Sequence, residues 1–595
     1  MKKQAIRTFW HLFRGYWNSE HKWKARGLLA FVIGLNFASV YLLVRINSWY
    51  NEFYNALQQY AQESFWPLVG EFTALAFLYI LIAVYAIYLR QMLQIRWRTW
   101  MTDRYLAGWM KHQVYYRLQV LGSDTDNPDQ RISEDINQFV TLTLQLLLGF
   151  LKQLTTLGAF GVVLWNLSGA FTVPLGSHEF VIYGYMFWFS LVYSILGTIG
   201  AHLVGRRLIG LNFDQQRFEA DFRFHMMRVR ENSESVAFYR GEGAETVGFK
   251  ERFAHVISNY WQLMRQTKLL NFYVNGYAQL AIIVPLVLAA PRYFGGAMQL
   301  GGLMQTVSAF GRVQDALSYF VESYDTIAQL AAVVQRLATF TEHMETAGAL
   351  ADGVTHVVAV RVGGVGDAAS GLGRGVVGNG DKAAQAAAGA LALTRLDVAL
   401  PDGRRLMRDC TVTLPKGSRV LVTGASGAGK STLLRTLAGI WPYGSGRVTM
   451  GKGSRALFLP QRPYLPLGSL RRALAYPSTV AGTDAELADA LRAVGLGQLT
   501  SKLDTVDDWS RILSLGEQQR LAFARVLLVK PDWVFLDEAT SALDEPREQA
   551  MYELLKARLP EISIVSVGHR STLFAQHDEE LHLAGDGGWR LQPIG

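Results

Sequence analysis

The feature that most constrains this chain is a series of apolar stretches confined to its first half. They cover residues 27–48, 66–89, 142–165, 180–204, 270–290 and 303–324. Each is close to the ~20 residues that a helix needs to cross about 30 Å of hydrocarbon. Only 18% of the 595 residues are charged, fewer than the ~25% of ordinary soluble proteins. We therefore expect six membrane-spanning helices, of which 303–324 is the least regular because it carries charge.

The basic residues between these stretches predict an orientation. Seven Lys and Arg residues precede residue 27, and the connections 90–141 and 205–269 are rich in Arg. By contrast, 166–179 contains neither Lys nor Arg, and 291–302 contains only Arg292. Because cytoplasmic loops carry the excess of Lys and Arg, we predict that both termini are cytoplasmic and that the long connections are helices continuing beyond the bilayer. The net charge of +9 then reflects membrane orientation, and no nucleic-acid partner is expected.

Two further features bound the class of protein. The first 26 residues are basic and aromatic without an apolar core, so we expect no cleavable signal peptide. Cys410 is the only cysteine, which excludes an intrachain disulfide. Ordinary globular, fibrous and disulfide-stabilised classes do not fit this composition.

The last apolar stretch carries polar residues on one helical face. They recur at steps of three and four, the spacing of one helix side: Gln305, Ser308, Arg312, Asp315, Ser318, Glu322 and Asp325. Ionisable groups at membrane depth usually face protein or water, so we interpret this face as the lining of a hydrated cavity. The alternatives are interhelical pairs, such as Arg312 with Asp315, or a stripe already outside the bilayer. Glu71 is a weaker candidate of the same kind.

The second half has the composition of a soluble domain. Residues 346–390 are rich in Gly and Ala and are expected to form a linker, after which strand and helix patterns alternate. We predict an α/β domain with a largely parallel sheet. The predicted organisation is an interfacial segment (1–26), a six-span membrane domain (27–345), the linker (346–390) and the α/β domain (391–595).

A glycine-rich segment follows the strand-like run 419–423. Residues 424–431 read GASGAGKS and fit G-x-x-x-x-G-K-[ST], with a helix expected to follow. In this context backbone N–H groups turn inward and hold phosphates. We predict that Lys430 contacts the β- and γ-phosphates of ATP and serves catalysis, and that Ser431 coordinates Mg²⁺. The predicted nucleotide-binding residues here are Gly424, Ala425, Ser426, Gly427, Ala428, Gly429, Lys430, Ser431 and Thr432.

Two further strands end in groups suited to phosphate chemistry. The apolar run 533–536 is followed by Asp537 and Glu538. A buried strand explains the run but not the two acids, so we assign Asp537 to Mg²⁺ and Glu538 to the general base that polarises the attacking water. His569 follows the strand-like run 562–567. We predict that it contacts the γ-phosphate, the alternative being a structural histidine.

The ordered set of motifs resembles the ATP-binding cassette of ABC transporters. The set comprises the glycine loop, Gln461, Leu-Ser-x-Gly-Glu at 513–517, Asp537-Glu538, Ser-Ala-Leu-Asp at 541–544 and His569. The resemblance implies that two cassettes close head to tail, so that Ser514 and Gly516 touch the γ-phosphate bound by the partner. It also implies that Gln461 contacts Mg²⁺ and that Asp544 crosses the dimer seam. Without it, 541–544 would be an ordinary helix cap.

The cassette departs from the family pattern in two places. Leu515 replaces the usual first glycine of Leu-Ser-Gly-Gly, and Glu517 replaces the usual glutamine. Hydrolysis is expected to be retained, because the serine and second glycine remain. The stretch 351–422 also lacks the aromatic residue on which the family stacks adenine, which leaves Arg404 or Arg405 as candidates.

Segments of the first half narrow the resemblance. Residues 127–135, 219–223 and 230–239 resemble cytoplasmic-loop motifs of subfamily D and of SbmA/BacA-type proteins. Without this likeness they would be charged faces of amphipathic helices. The resemblance implies an exporter-type membrane all-α domain with six transmembrane helices, fused to a cytoplasmic α/β P-loop ATP-binding cassette. Residues 174–176 and 184–186 favour the bacterial branch of this resemblance, whose members take up peptides or cobalamin-like solutes.

These observations predict a homodimeric half-transporter of the bacterial inner membrane, using ATP and Mg²⁺. We expect a bulky, at least partly hydrophilic solute such as a peptide or a cobalamin-like compound, with membrane lipid around the protein. One rival function is transport of fatty-acyl or other amphipathic lipids. Another is a membrane-anchored regulatory ATPase that moves nothing, against which six spans with a polar face argue.

Overall fold

The computed structural model describes residues 2–120, 127–175, 178–349, 354–356, 361–362, 389–451, 453–478 and 482–594. Within it the chain divides into two compact units. The first comprises Met1–Tyr105 with Asn127–Phe340, and the second Leu106–Asp126 with Thr341–Gly595. Most of the linker predicted at 346–390 lies outside the described residues.

Long helices build the first unit. They are Lys2–Trp17, Lys22–Gln58, Gln62–Met110, Ile136–Ser168, Tyr185–Glu231, Glu242–Phe294 and Leu300–Ala349. The longest has 53 residues, about 80 Å at 1.5 Å per residue, which far exceeds the thickness of the hydrocarbon core. The long connections are therefore largely helical, and the continuation of the spans beyond the bilayer stays a prediction.

Five helices of the described chain are long and apolar enough to cross a membrane. The sixth predicted span lies in Leu300–Ala349, one continuous 50-residue helix that is not among those five and carries both charged and uncharged polar residues. The expectation that 303–324 would be the least regular stretch therefore agrees with the structure.

A β-hairpin precedes the fourth span and shortens it. Ala170–Leu175 pairs antiparallel with His178–Tyr183, and the following helix begins at Tyr185. The sequence-based start at residue 180 was therefore five residues too early. Gly184, at φ 65°, separates strand from helix, and its N–H donates to the carbonyl of Gly169 at 3.1 Å. Apolarity alone does not distinguish such a strand from the first turn of a span.

The polar face of Leu300–Ala349 is only partly exposed. Gln305 is buried, and its side-chain and backbone oxygens accept hydrogen bonds from Asn51 Nδ2 at 2.7 Å and Asn47 Nδ2 at 3.0 Å. Gln305 therefore joins two helices rather than lining a cavity. Arg312 and Asp315 are exposed, as the cavity interpretation requires. The side chains of Glu322 and Asp325 lie outside the described residues. Glu71, the weaker candidate, is paired with Arg45.

The second unit contains a seven-stranded sheet that positions the nucleotide-binding motifs. In spatial order its strands are Trp589–Pro593, Glu579–Leu583, Arg419–Gly424, Ser563–Val567, Trp533–Asp537, Arg455–Leu459 and Arg361–Val362. All pairs are parallel except the first. The predicted, largely parallel α/β sheet is therefore confirmed. In parallel sheets, ligands bind beyond the carboxyl ends of the strands, and here Gly424, Asp537 and Val567 share that edge.

A second sheet and several helices complete this unit. The sheet contains Val354–His356, Gly444–Met450, Leu391–Ala399 and Arg405–Leu414, in that order. A third, two-stranded sheet pairs Gly468–Ser469 with Val506–Asp507. The described α-helices of this unit include Val114–Val120, Lys430–Leu437, Leu470–Ala475, Asp484–Ala493, Trp509–Ile512, Leu515–Val529 and Glu545–Arg558, and its 3₁₀ helices include Gly497–Lys502 and Ser571–Gln576.

The central strand Arg419–Gly424 is buried on both faces. Leu421 belongs to an apolar cluster on one side of the large sheet, and Val420 and Val422 to a cluster on the other side. Alternating side chains of a strand point to opposite faces, so both sheet faces are covered. The glycine loop therefore begins from a rigid base.

Candidate functional site

The glycine loop begins where the central strand ends. Gly424 and Gly429 adopt φ of 138° and 100°, conformations that disfavour side chains. A Cβ on Gly424 would lie 2.4 Å from the carbonyl oxygen of Leu583, and one on Gly429 would lie 2.9 Å from the Leu406 side chain. Glycine is therefore required at both positions. Helix Lys430–Leu437 starts directly after the loop, and residues 425–427 form its exposed tip.

Lys430 folds back over the loop. Its Nζ donates to the carbonyl oxygens of Gly424 at 2.8 Å and Ala425 at 2.9 Å. Burial lowers the pKa of this ammonium group, and the nearby carboxylates Glu538 and Asp537 oppose that shift. Both hydrogen-bond acceptors are neutral carbonyls. An anion such as a triphosphate would therefore supply the counter-charge that the loop lacks.

Ser431 and Asp537 form an oxygen pair suited to Mg²⁺. Ser431 Oγ donates to Asp537 Oδ1 at 2.8 Å, which joins the first turn of the helix to the end of a strand. Burial raises the pKa of Asp537, and the hydrogen bond from Ser431 opposes it. A hydroxyl and a carboxylate are hard ligands, and Mg²⁺ commonly takes only one or two from protein beside water and phosphate oxygens. The described residues hold no cluster of three or more His, Cys, Asp and Glu side chains that could bind a metal alone.

Glu538 is held between Gln461 and His569. Gln461 Nε2 donates to Glu538 Oε2 at 2.9 Å, and His569 Nε2 lies 3.2 Å from Glu538 Oε1. Glu538 has φ 50°, which is rare for a non-glycine residue. Its backbone N–H donates to the carbonyl of Val567 at 3.1 Å. Three residues that are far apart in sequence thus meet beside the Ser431–Asp537 pair.

Ser514 and Gly516 lie at the start of helix Leu515–Val529. Ser514 is the N-cap of this helix and forms a reciprocal capping box with Glu517. The Ser514 hydroxyl donates to Glu517 Oε2 at 2.8 Å, and the Ser514 backbone N–H donates to the same oxygen at 3.0 Å. The helix N-terminus therefore carries a carboxylate at the place where the family has a neutral amide.

Asp544 caps a different helix. Its Oδ1 accepts a hydrogen bond from the backbone N–H of Arg547 at 3.1 Å, at the start of Glu545–Arg558. Within one chain, Asp544 therefore acts as a helix cap, which was the alternative interpretation of 541–544. Within the described parts of the chain, Asp544, Ser514 and Gly516 form no hydrogen bond with Lys430, Ser431 or Glu538.

Two residues that the sequence interpretation did not single out organise the loop 541–543. Gln519 is fully buried and contacts Gln461, Ser541 and Ala542. Arg570 donates to the carbonyl oxygens of Ser541 at 2.9 Å and Leu543 at 2.7 Å. A glutamine facing the apolar side of a helix is the signal that could have drawn attention to Gln519, because buried amides need partners.

Known protein families match both halves of the chain. The family described as "ABC transporter transmembrane region 2" matches residues 12–294, and the family described as "ABC transporter" matches residues 407–541. In solved structures, a bacterial Atm1-family ABC exporter with ATP bound superimposes with a TM-score of 0.68. The alignment covers 96% of this chain and 94% of that one at 18% identity. This likeness shows that the fold is of the exporter type.

Relatives match over nearly the whole length. An uncharacterized ABC transporter ATP-binding protein of Haemophilus influenzae is 35% identical over 98% of this chain and 93% of its own. The inner membrane ABC transporter ATP-binding protein YddA of Escherichia coli is 32% identical over 97% of both chains. The human lysosomal cobalamin transporter ABCD4 is 29% identical over 84% of this chain and 82% of its own.

The membrane region, the cassette and these full-length matches lead to one conclusion. The chain is an ABC half-transporter, an ATPase coupled to membrane transport that joins one transmembrane region to one ATP-binding cassette, and its relatives include bacterial ABC proteins and members of subfamily D.

Proposed function

We propose that two copies of this chain form a transporter that hydrolyses ATP with Glu538 as general base and moves a bulky, partly hydrophilic solute across the bacterial inner membrane. The observation that supports the hydrolytic centre is the contact of both Gln461 and His569 with the Glu538 carboxylate. A carboxylate held from two sides, next to a phosphate-binding loop, can orient and deprotonate an attacking water.

In this proposal each group of the nucleotide site has a separate role. The backbone of 424–429 and the Lys430 ammonium would hold the phosphates. Thr432, also predicted to bind the nucleotide, lies in the helix Lys430–Leu437 that follows the loop. Ser431, Asp537 and Gln461 would supply oxygen ligands for Mg²⁺, which when bound would screen the charge of the phosphates. His569 would contact the γ-phosphate from the edge of the sheet. For adenine, Arg405 remains the better candidate of the arginine pair, because Leu406 beside it touches the glycine loop.

The second chain completes each nucleotide site in this proposal. Ser514 and Gly516 form no hydrogen bond with the phosphate-binding residues of their own chain within the described residues. The family arrangement would bring them to the γ-phosphate bound by the partner, with Asp544 at the seam. Closure on ATP and release after hydrolysis would then change the shape of the membrane half.

A peptide or a cobalamin-like compound is the proposed solute class. Arg312 and Asp315 are exposed on the helix Leu300–Ala349, and such charges favour a polar solute over an acyl chain. The human relative whose name includes cobalamin transport is consistent with a large polar solute. YddA, an inner membrane protein, supports the proposed membrane, and the Lys and Arg distribution supports cytoplasmic termini.

The general base is tested by Glu538→Gln in the full-length protein in lipid vesicles. We expect kcat for ATP hydrolysis to fall by about 100-fold or more, because a positioned base typically contributes 10²–10⁴. ATP binding, measured with a fluorescent analogue, should persist. Glu553→Gln is the matched control, since Glu553 is exposed and accepts a hydrogen bond from Gln549 of its own helix. A Glu538→Gln variant that hydrolyses ATP normally would remove the assigned base.

The solute class is tested with the same vesicles. We expect ATP-dependent flux of a labelled peptide or of cobalamin, and no flux with Glu538→Gln. Stimulation of the ATPase by fatty-acyl compounds but by neither polar solute would favour the lipid alternative. ATP hydrolysis without movement of any tested solute would favour a regulatory ATPase.

A further inference from the structure

Three segments of the cassette meet at the side chain of Gln519. This residue lies in the second turn of Leu515–Val529 and is fully buried. Its Nε2 donates to the carbonyl oxygen of Gln461 at 2.9 Å and to Ser541 Oγ at 3.2 Å. Its Oε1 accepts from the backbone N–H of Ala542 at 3.0 Å. Both amide donors and the amide oxygen are therefore engaged, and the direction of each bond is fixed by its partner.

Two partners of Gln519 contact Glu538, one at its carboxylate and one at its backbone carbonyl. The side chain of Gln461, whose backbone carbonyl Gln519 holds, donates to Glu538. The backbone N–H of Ser541 donates to the carbonyl oxygen of Glu538 at 3.0 Å. One buried amide thus fixes the residue that contacts the carboxylate and also the loop that follows it.

The same amide ties this centre to the helix start that carries Ser514 and Gly516. The first turn of the helix lies directly against the loop 541–542, because a Cβ added to Gly516 would lie 3.1 Å from the carbonyl oxygen of Ala542. A displacement of the helix start would therefore also move Gln461 and Ser541, because the helix and the loop are in close contact. Closely packed interiors transmit such strain.

We propose that Gln519 is a positioning residue for ATP hydrolysis, which sets Gln461 against Glu538 and holds the helix start in register with the loop 541–542. The proposal rests on the function proposed above for Glu538 and Gln461. Gln519 forms no hydrogen bond with Lys430 or Ser431 among the described residues, so its loss would leave phosphate binding in place. A displacement of about 1 Å at a reacting centre can cost about 100-fold in rate.

The test compares Gln519→Leu with Gln518→Leu in the full-length protein. Gln518 is the adjacent residue of the same helix, is 4% exposed, and donates twice through Nε2, to the carbonyls of Ser510 and Leu513 at 2.8 Å each. Both variants lose a buried amide and should lose similar thermal stability. For Gln519→Leu we expect kcat to fall at least about 10-fold, while the Kd of a fluorescent ATP analogue stays within about 2-fold of wild type. For Gln518→Leu we expect kcat to stay within about 3-fold of wild type.

The proposal would be overturned if kcat of Gln519→Leu stayed within about 2-fold of wild type. It would also be overturned if Gln519→Leu and Gln518→Leu lost the same fraction of kcat at the same loss of Tm. If Gln519→Leu cannot be purified, Ser541→Ala decides, since it removes one of the three bonds without disturbing the buried helix. We expect a fall of about 3-fold, and an unchanged kcat would contradict the proposal. Glu538→Gln measured in parallel separates the two claims, because its normal activity would remove the proposed base independently of Gln519.

Discussion

At the scale of single residues, the sequence motifs predicted the chemistry of the nucleotide site but not its geometry. The pattern 424–431 and the pair Asp537–Glu538 carry residue types that few structural roles require together. The left-handed backbone of Glu538 and the buried contacts of Gln519 have no such pattern. They depend on which loops the fold brings together, and strained backbone of this kind persists only where the surroundings over-determine it.

The carboxylate of Glu517 is expected to weaken nucleotide binding at the cassette interface. It accepts both the N–H and the O–H of Ser514, so it competes with a phosphate for the same donors and repels it. We predict that Glu517→Gln lowers the KM for ATP by about 3- to 10-fold, as measured by steady-state ATPase assays.

The chain supplies a matched control for this prediction. Glu486 forms the same capping box with Thr483 at the start of Asp484–Ala493, which carries no nucleotide motif. Glu486→Gln should leave KM unchanged. A Glu517→Gln variant with unchanged or higher KM would show that the carboxylate does not oppose the phosphate.

At the scale of elements, periodicity and apolar length predicted most helices and the parallel strands, but not their ends. The sequence pattern predicts a helix over 432–438, and the structure starts this helix at Lys430. It also predicts a strand over 411–414, and the structure extends this strand back to Arg405. The hairpin 170–183 was missed, because a short apolar strand and the start of a span have the same composition. Element ends depend on caps and on tertiary contacts that sequence spacing does not specify.

Two helices of the first unit are joined through Asp135. This buried carboxylate accepts from Arg336 Nε at 2.9 Å and from Arg336 Nη2 at 2.6 Å, and also from Arg131 Nη1 at 2.9 Å. The hydrogen bond to Asp135 raises the pKa of Arg336. We predict that Asp135→Asn destabilises the protein by about 3 kcal/mol, because it removes the negative charge and replaces one of the two acceptor oxygens with an amide donor. Thermal unfolding in detergent measures this.

The neighbouring Glu134 provides the control for this link. It is exposed, accepts a hydrogen bond from the Gln130 side chain, and acts on Arg336 through its charge alone among the described residues, so Glu134→Gln should change Tm little. Equal Tm values for the two variants would show that the Asp135 contacts do not stabilise the helix pair.

A buried histidine makes the cassette sensitive to acid. Tyr552 donates to Ser566 Oγ at 3.0 Å, His577 Nε2 lies 2.8 Å from Ser566 Oγ, and His577 Nδ1 lies 2.7 Å from the carbonyl oxygen of Leu573. A neutral ring with its proton on Nδ1 satisfies this chain, because Nε2 then accepts from the Ser566 hydroxyl. Burial lowers the pKa of His577 to about 4.

The direction of the pH effect follows from proton linkage. The unfolded chain binds a proton near pH 6.5 and the folded one near pH 4, so stability is complete above pH 6.5 and decreases as the pH falls towards 4. The loss reaches about 3 kcal/mol. We predict a lower Tm at pH 5 than at pH 7.5, and a smaller difference for His577→Gln. Replacing the exposed His582 in the same way should leave the difference intact, and a His577→Gln profile identical to wild type would contradict the assignment.

At the scale of the whole molecule, the sequence predicted a membrane half and a cassette, and comparison with relatives shows both. The grouping of Leu106–Asp126 with the cassette unit was not predicted. Within that unit Val120 packs against the apolar cluster of the cassette, far from it in sequence. Long-range packing of this kind leaves no local pattern.

A single chain carries one cassette, and its Ser514 helix start lies outside its own phosphate site. We therefore predict that the purified protein is a dimer whose protein mass is twice the 66.4 kDa of one chain. Light scattering in detergent, corrected for bound detergent, measures it. A stable 66.4 kDa particle that still hydrolyses ATP would contradict the proposed assembly.

The burial of Cys410 has a practical consequence. This thiol is fully buried in the apolar cluster of the cassette, and burial raises its pKa to about 12. Thiol reagents attack the deprotonated, accessible form, so the native protein should remain unlabelled at neutral pH. A cysteine introduced on any exposed helix would then be the sole reactive handle, and spin or fluorescent probes could follow nucleotide-driven movements without removing a native sulfur first.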